Sequence, residues 1–305
     1  MVSGGCTDKI QVLKEATYGD GGVTGEKIFG VTRKFDWTME TNSAQSFGLE
    51  TSGPQATSNT DGVTGISGTH EFELTDGRVF EAILGTLGGS TSYTLDVADL
   101  LPSYSVKVVE DAANSKYGII KGLKYTKFSI SLSRDEVITI TADWFARTMV
   151  STTTFTPTAA TVEPLTYLDG KFKWGSTYET GIDNITLEFQ RNIVPRRFIE
   201  AVTTGERRLI SALIEGPLNI TFNGVQTAKS EMIQKIYGST SFQDVRTDAS
   251  ISLDIARGVT NTLSLAVTGC RVATESRSFD KQQEVALIEF SGIGIDVSGS
   301  GAYNP

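Results

Sequence analysis

The chain has 305 residues, and its 27 Lys and Arg against 36 Asp and Glu give a formal net charge of −9 at pH 7. This length suffices for two domains with a core each. A hydrophobic content of 39% is typical of a folded protein and excludes a fully disordered one. The acidic balance argues against a protein that holds nucleic acid through phosphate contacts.

Two cysteines, Cys6 and Cys270, are too few for a disulfide framework or a CxxC metal site. We expect both to be free thiols in a reducing compartment. No apolar segment of a secretory signal follows the first residues, and no window approaches the ~20 apolar residues of a membrane span. The sequence therefore predicts a protein that is made in the cytoplasm and either stays there or leaves without a signal peptide.

The first part of the chain predicts an arm followed by strands. Residues 1–27 are rich in glycine and charge and indicate an N-terminal arm. Apolar residues then recur at mostly every second position, which predicts a strand with a buried face; they are Phe29, Val31, Phe35, Trp37 and Met39. Residues 41–68 are mainly turn formers, and a loop of that length indicates a functional segment.

THEFEL (69–74) predicts the next strand, and VFEAILGTLGG (79–89) predicts a short amphipathic helix that ends at glycine. Three further strands follow, the last of them over 136–146. The Thr/Pro/Ala-rich residues 151–164 indicate a linker between domains.

The second half of the chain repeats this order. A strand over 185–193 is followed by a charged loop, a strand over 218–222, a short helix at SEMIQKIYG (230–238) and strands that begin with SISLDI (250–255). These segments correspond to the first half at separations near 150 positions.

The register of this correspondence predicts an internal duplication. SYSVKV (103–108) corresponds to SISLDI at a separation of 147 positions, which also places Gly122 over Gly269. GTHEFEL at 68 corresponds to GPLNITF at 216, and FEAILG at 80 to IQKIYG at 233. The predicted organisation is an arm, a β domain over 28–150, the linker over 151–164, a second β domain over 165–297, and a C-terminal tail over 298–305.

The sequence offers little that would support catalysis. His70 is the only histidine and lies in a predicted strand, so we expect a structural or exposed side chain. Asp135, Glu136 and Asp143 could supply paired carboxylates, but charged turns between strands explain them equally. The tryptophans Trp37, Trp144 and Trp174 are expected to pack in the core. We predict no catalytic residue, no metal and no cofactor.

The strand GIDNITLEF, the short helices closed by ILG or IYG, and the strands SISLDI and AVTGCRVA together resemble the tail tube proteins of tailed phages and related viruses. The resemblance covers roughly residues 28–150 and 165–297. It implies an all-β fold of two tandem β-sandwich or partial-barrel domains, each with one packed helix. It also implies a structural protein of the virion tail, assembled in the host cytoplasm.

The partners that the resemblance implies are other copies of the chain and other tail proteins. Three two-domain chains would give a ring of six domains, with a hexamer as the alternative, and rings would stack into a tube that DNA crosses without specific binding. Tape-measure, terminator and baseplate proteins would contact it. We expect no contact with a membrane.

Two loops are the predicted contacts between copies. Phe47 and Leu49 are the apolar anchors of residues 41–68, and two arginine pairs flank the charged loop of the second half. Arginine is well suited to bidentate pairing with an acidic face of a neighbour. These candidates are Arg196, Arg197, Arg207 and Arg208.

Three alternatives remain open at the level of sequence. One is another tail component of related fold, such as a baseplate hub or distal tail protein that forms a single ring. A second is a β-sandwich that binds carbohydrate or a receptor. The third is a hydrolase that uses the acidic residues named above.

Overall fold

A computed structural model of the chain describes residues 10–19, 29–46, 58–111, 116–152, 163–196, 212–227, 248–259, 261–278 and 287–303. Over these residues the fold is almost entirely antiparallel β-structure with one short α-helix, which confirms the predicted all-β class. The helix predicted over 230–238 lies outside the described residues.

The described residues of the N-terminal half form nine strands. They are β1 (Ile10–Lys14), β2 (Val31–Ser46), β3 (Ser58–Glu73), β4 (Gly85–Gly88), β5 (Ser92–Val97), β6 (Tyr104–Asp111), β7 (Lys116–Ser133), β8 (Thr139–Ala146) and β9 (Thr148–Thr152). A 3₁₀ turn (Gly77–Phe80) and the helix α1 (Glu81–Leu84) lie between β3 and β4.

The C-terminal half begins with a 3₁₀ turn (Tyr167–Asp169) and contains ten described strands. They are β10 (Gly170–Trp174), β11 (Thr177–Tyr178), β12 (Ile182–Arg191), β13 (Val194–Arg196), β14 (Ala212–Ile214), β15 (Leu218–Thr227), β16 (Ala249–Arg257), β17 (Asn261–Ser278), β18 (Leu287–Gly294) and β19 (Asp296–Tyr303). β13 and β14 form a separate ribbon, and all other strands belong to one hydrogen-bonded network.

This network contains an eight-stranded sheet that runs through both halves. Its order is β2-β3-β8-β7-β12-β15-β18-β17, and every neighbouring pair is antiparallel. Two flanking sheets have the orders β1-β6-β7-β9 and β11-β10-β16-β17-β19-β5-β4. β7 and β17 belong to both layers, because each long strand leaves a flanking sheet and continues into the eight-stranded one.

The helix is shorter and more buried than the sequence predicted. Asp76 accepts the backbone N–H of Arg78 at 2.9 Å and begins the 3₁₀ turn, and Gly85 ends α1 with φ of +109°. All four residues of α1 are buried, so the helix is not amphipathic and lies inside the molecule. The predicted residues 85–89 instead contain β4.

Both halves share one hydrophobic core. A single cluster of buried side chains extends from Val12 to Val297. Trp144 and Trp174 belong to it as predicted, but Trp37 is 38% exposed, so the expectation that it packs in the core is wrong. His70 is fully buried and lies within hydrogen-bond distance of Thr32 Oγ1 and Tyr125 OH, at 3.0 and 2.9 Å.

The predicted arm and tail both contribute strands. β1 lies within residues 1–27, pairs with β6 and buries Val12 and Leu13. Residues 298–303, predicted as a tail, belong to β19, which pairs with β17 on one edge and β5 on the other. These segments are held because their backbone groups complete the flanking sheets.

The strand pairings of the two halves correspond down to their β-bulges. Arg33 and Asp183 are the extra residues of the β2–β3 and β12–β15 pairs, and Thr126 and Ala273 those of β7–β8 and β17–β18. Gly122 and Gly269 lie in the bulges opposite β6 and β16 with φ of +66° and +63°. Bulges at three matching places indicate one topology used twice.

The same pairings correct the register that the sequence suggested. β7 and β17 match at the predicted 147 positions, but Val106 pairs with Ile120 where Ile251 pairs with Val267, so β6 and β16 match at 145. Ile66 pairs with Ala146 where Ile220 pairs with Gly294, so β3 and β15 match at 154 and not 148. Period-two alternation is unchanged by shifts of two or six, which is why the pattern alone could not detect them.

Candidate assembly interface

The two halves meet strand to strand inside the eight-stranded sheet. β7 of the first half pairs with β12 of the second, from Asn184 opposite Ser133 to Gln190 opposite Lys127. Arg134 N–H donates to Asp183 O at 3.1 Å, and Lys127 Nζ lies 2.8 Å from Glu188 Oε2. We call this contact the internal joint.

Helix α1 and its preceding turn cover the buried face of the internal joint. Phe80 packs edge-on against Phe189 with ring centroids 5.9 Å apart, and Leu187 and Phe189 are 1% and 0% exposed. This T-shaped geometry adds to the burial energy of the rings. The apolar residues of β12 are therefore buried by the other half of the chain.

Arg191, at the end of β12, completes this cover. Its guanidinium is buried and donates to three carbonyl oxygens: Ile83 O at 3.2 Å, Leu84 O at 3.0 Å and Ala98 O at 2.6 Å. Two of these carbonyls belong to α1, and its last carbonyls have no partner within the helix. Burial lowers the pKa of this guanidinium, and the carbonyls compensate for its lost hydration.

A second contact joins the halves in the flanking layer. β5 of the first half pairs with β19 of the second, and Tyr93 OH donates to Thr262 O at 2.8 Å. The Arg78 guanidinium lies 4.1 Å from the centre of the Tyr303 ring, within cation–π distance. The first half thus reaches the second through both layers.

The outer edges of the eight-stranded sheet are the counterparts of the internal joint. Among the described strands, β2 pairs only with β3, and Thr274–Ser278 of β17 pair only with β18. β2 matches β12, and β17 matches β7, in the repeated topology. At one end of the sheet, β17 therefore has the edge that corresponds to the one β7 contributes to the internal joint. At the other end, β2 has the edge that corresponds to the one β12 contributes.

The apolar side chains of β2 are more exposed than their counterparts in β12. The bulges at Arg33 and Asp183 place Trp37 and Met39 at the positions of Leu187 and Phe189. Trp37 is 38% and Met39 50% exposed, whereas their counterparts are buried in the internal joint. Large apolar side chains are thus uncovered on β2 at the places where the internal joint covers them on β12.

The other face of the eight-stranded sheet is mainly polar, with Phe145, Val225 and Ile293 as apolar exceptions. Directly opposite residues share a face, and one row of them crosses the internal joint as Glu73, Thr139, Ser131, Thr186, Asn223, Ser291 and Thr274. A neighbouring row is Glu71, Thr141, Ser129, Glu188 and Thr221. Hydroxyl and amide groups dominate both rows.

The charge on this polar face is mainly negative. Its carboxylates are those of Asp36, Glu40, Glu71, Glu73, Asp143, Glu188 and Glu289, whereas its cations are those of Lys34, Lys124, Lys127 and Arg271. The hydrogen bond to Asp36 at 2.6 Å raises the pKa of Lys34. Lys124, Lys127 and Arg271 likewise form ion pairs, with Glu215, Glu188 and Asp248, so the face keeps an excess of negative charge.

The residues considered for catalysis are dispersed. Asp135 and Glu136 lie in the exposed turn between β7 and β8, whereas Asp143 lies in the middle of β8 on the polar face. Burial lowers the pKa of His70 to about 3, so the ring is neutral at pH 7 and bonded to core hydroxyls. Burial also raises the pKa of the Cys270 thiol to about 11, which makes it a poor nucleophile.

Most predicted contact residues lie outside the described part of the chain: Phe47, Leu49, Arg197, Arg207 and Arg208. The backbone of Arg196 lies in β13 opposite Ala212. The sequence pattern did not indicate Trp37, Met39 or the edges of β2 and β17 as contact sites. The alternation in β2 predicted one buried face, but it did not show whether another part of the described chain covers that face.

Within the described residues, no group of His, Cys, Asp or Glu is arranged to hold a metal ion, and no helix has the length and apolar character needed to cross a membrane. No protein-family model and no curated protein matches the chain.

Proposed function

We propose that this chain is a structural virion protein, built from two tandem tail-tube-type β domains, that assembles into stacked rings to form the hollow tail tube. The viral genome would pass through this tube without specific binding. The proposal assigns no catalysis to the chain, and its mechanism is assembly through the edges of the sheet.

One observation carries the proposal: the internal joint is head to tail. The strand order β2-β3-β8-β7 of the first half is followed by β12-β15-β18-β17 in the same sense, so the joint relates the halves without a two-fold axis. A heterologous contact of this kind is not self-limiting, and it generates rings when its rotation closes. Closure also covers the sheet edges, which otherwise promote aggregation.

The polar face supports a lumen as the location of the eight-stranded sheet. We place this face inward in a closed ring and the flanking sheets, which cover the opposite face, on the outside. Closely spaced Ser, Thr and Asn with excess carboxylates would repel phosphates, and the cations of this face are paired with carboxylates. Such a surface suits a channel along which DNA slides.

The dimensions of the sheet agree with a ring of few chains. Three copies would contribute about 24 strands, more than the 16–18 strands of barrels that already leave an aqueous channel. At a strand spacing of about 4.8 Å the circumference would be about 115 Å before strand tilt is considered. Three copies therefore suffice to enclose an open lumen.

A single-ring tail component of related fold is the main competitor. It would use the same edges within a ring but would lack contacts between rings. The carbohydrate-binding and hydrolase alternatives receive no specific support from the described residues.

Negative-stain electron microscopy of the purified chain over a concentration series tests the proposal. We expect stacked rings or hollow tubes whose end views show three- or pseudo-six-fold symmetry. Isolated rings at every concentration would favour the single-ring component. Monomers alone at the highest concentration, with analytical ultracentrifugation in agreement, would contradict the proposal.

A further inference from the structure

We infer that neighbouring copies join by a copy of the internal joint, in which Thr274–Ser278 of β17 in one chain pair antiparallel with Asp36–Glu40 of β2 in the next. This inference rests on the proposed function and specifies the contact and register within the ring. Its occupant is a second copy of this chain.

The register follows from the internal joint and the matching bulges. β7 and β17 match at 147 positions through Thr126 and Ala273, and β2 and β12 match at 150 through Arg33 and Asp183. In the internal joint Lys127 lies opposite Gln190, Ser129 opposite Glu188 and Ser131 opposite Thr186. Transferring these pairs predicts the following ones between copies: Thr274 with Glu40, Ser276 with Thr38, and Ser278 with Asp36.

The two edges are compatible with this register. The short β-branched or hydroxylated side chains of Thr38, Thr274 and Ser276 are exposed on the polar face. Pairing in the predicted register keeps them on that face and extends its rows into the next copy. A shift by one residue would place Trp37 and Met39 on the polar side relative to their partners, which the alternation of the sheet disfavours.

Trp37 and Met39 argue for a second copy rather than an unrelated partner. They occupy the positions that α1 and β7 cover in the internal joint, and they lie on the same side of the sheet as Phe35, which belongs to the core. Their cover in a ring would come from the second half of the preceding chain, whose strands follow the topology of the first half. The contact therefore continues an interface already present in the molecule.

Disulfide trapping tests the register in the full chain. In a Cys6→Ser background, the pair Thr38→Cys and Ser276→Cys places both thiols on exposed strand positions, and directly opposite residues lie within disulfide range. We expect oxidation to give covalent oligomers that increase with protein concentration. Ser129→Cys with Glu188→Cys is the matched control, since the same geometry in the internal joint should give a concentration-independent intrachain bond.

An out-of-register pair tests specificity. Glu40→Cys with Ser276→Cys moves one thiol by two residues along the same face, and we expect at least a tenfold lower rate of cross-linking. Equal or faster cross-linking of this pair would overturn the register. Circular dichroism of each reduced variant checks that the fold is intact.

A second readout uses the exposed tryptophan. Trp144 and Trp174 are buried in the single chain, so a blue shift of emission on assembly should come from Trp37. The shift should be absent in Trp37→Phe if that variant still assembles. A Trp37→Ser/Met39→Ser variant should remain folded and shift the assembly midpoint to at least tenfold higher concentration; an unchanged midpoint contradicts the inference.

The outcomes separate this inference from the proposed function. Tubes without the predicted cross-link would keep the function and reject the joint. The predicted cross-link in closed oligomers that never stack would keep the joint and reject the tube. The absence of both oligomers and cross-links would reject both.

Discussion

The C-terminal strand β12 and the N-terminal strand β2 have the same place in the repeated topology but opposite surroundings. Leu187 and Phe189 of β12 are buried in the internal joint, whereas Trp37 and Met39 of β2 are exposed. The difference is not one of sequence type, since all four side chains are large and apolar. Among the described strands, β7 of the preceding half pairs with the edge of β12, whereas no strand pairs with the corresponding edge of β2.

The largest expected difference between the two regions is in stability of the single chain. Phe189→Ala removes a fully buried ring from the internal joint, and we expect a loss of about 3–5 kcal/mol of unfolding free energy. Met39→Ala at the matching exposed site should change it by less than ~0.5 kcal/mol. Urea denaturation at a dilute, monomeric concentration measures both. Similar losses for the two variants would contradict the structural comparison.

Arg191 provides a second test of the internal joint. Arg191→Met keeps most of the side-chain length but removes the guanidinium donors to the carbonyls of Ile83, Leu84 and Ala98, of which Leu84 O keeps the Ala98 N–H at 2.8 Å. We expect a loss of about 2–4 kcal/mol, because buried acceptors lose their partner. Lys at this position should recover part of the loss, and Thr41→Met at the corresponding place in β2 is the control. An Arg191→Met variant with an unchanged free energy of unfolding would show that the guanidinium does not stabilise the internal joint.

Substitutions at the two bulge glycines test whether the two halves are structurally equivalent at these matching positions. An added Cβ would lie 2.8 Å from Arg147 Cβ at Gly122 and 2.6 Å from Ile295 Cδ1 at Gly269, and both positions have positive φ. We expect Gly122→Ala and Gly269→Ala to cost about 1–3 kcal/mol each. Gly175→Ala, also at positive φ but without neighbouring atoms, separates backbone strain from overlap. Thermal unfolding of the three variants measures this, and a neutral effect at one bulge only would break the equivalence.

The smallest expected effect is a pH dependence of stability. It comes from His70, a core residue of the first half whose matching position in the second half has no titratable side chain. His70 lies opposite Phe35 in β2, and the matching position opposite Ile185 is Gly224. Burial holds the pKa of His70 near 3, below its ordinary 6.5, so the unfolded chain binds the proton first as pH falls. The contribution of the neutral His70 side chain to the free energy of unfolding is complete above pH 6.5 and is lost as pH falls towards 3.

At pH 5.5 the protein should be less stable than at pH 7.5 by about 1.4 kcal/mol from this group alone. Because His70 is the only histidine, a His70→Gln variant should lack this step, even if its stability at pH 7.5 is lower. Chemical denaturation at both pH values gives the difference. An imidazole NMR titration near pH 6.5 in the folded protein would contradict the burial argument.

The sequence by itself determined the class of fold, the repeated order and the key glycines. Period-two alternation predicted the strands because one face of each is buried, and Gly122 and Gly269 were matched at 147 positions because a bulge with positive φ selects glycine. Glycine also marked the end of α1 at Gly85. These signals are local, so they can be read along the chain.

Tertiary structure decided the rest. The offsets of 145 and 154, the insertion of β1 and β19 into the flanking sheets, and the internal joint all depend on which strands pair, and backbone hydrogen bonding carries almost no sequence signal. Trp37 has the same local pattern as a core residue, and only the absence of a covering strand among the described elements makes it exposed. Alternation indicates which side chains need to be buried, whereas the fold decides whether the residues that bury them lie within the same chain.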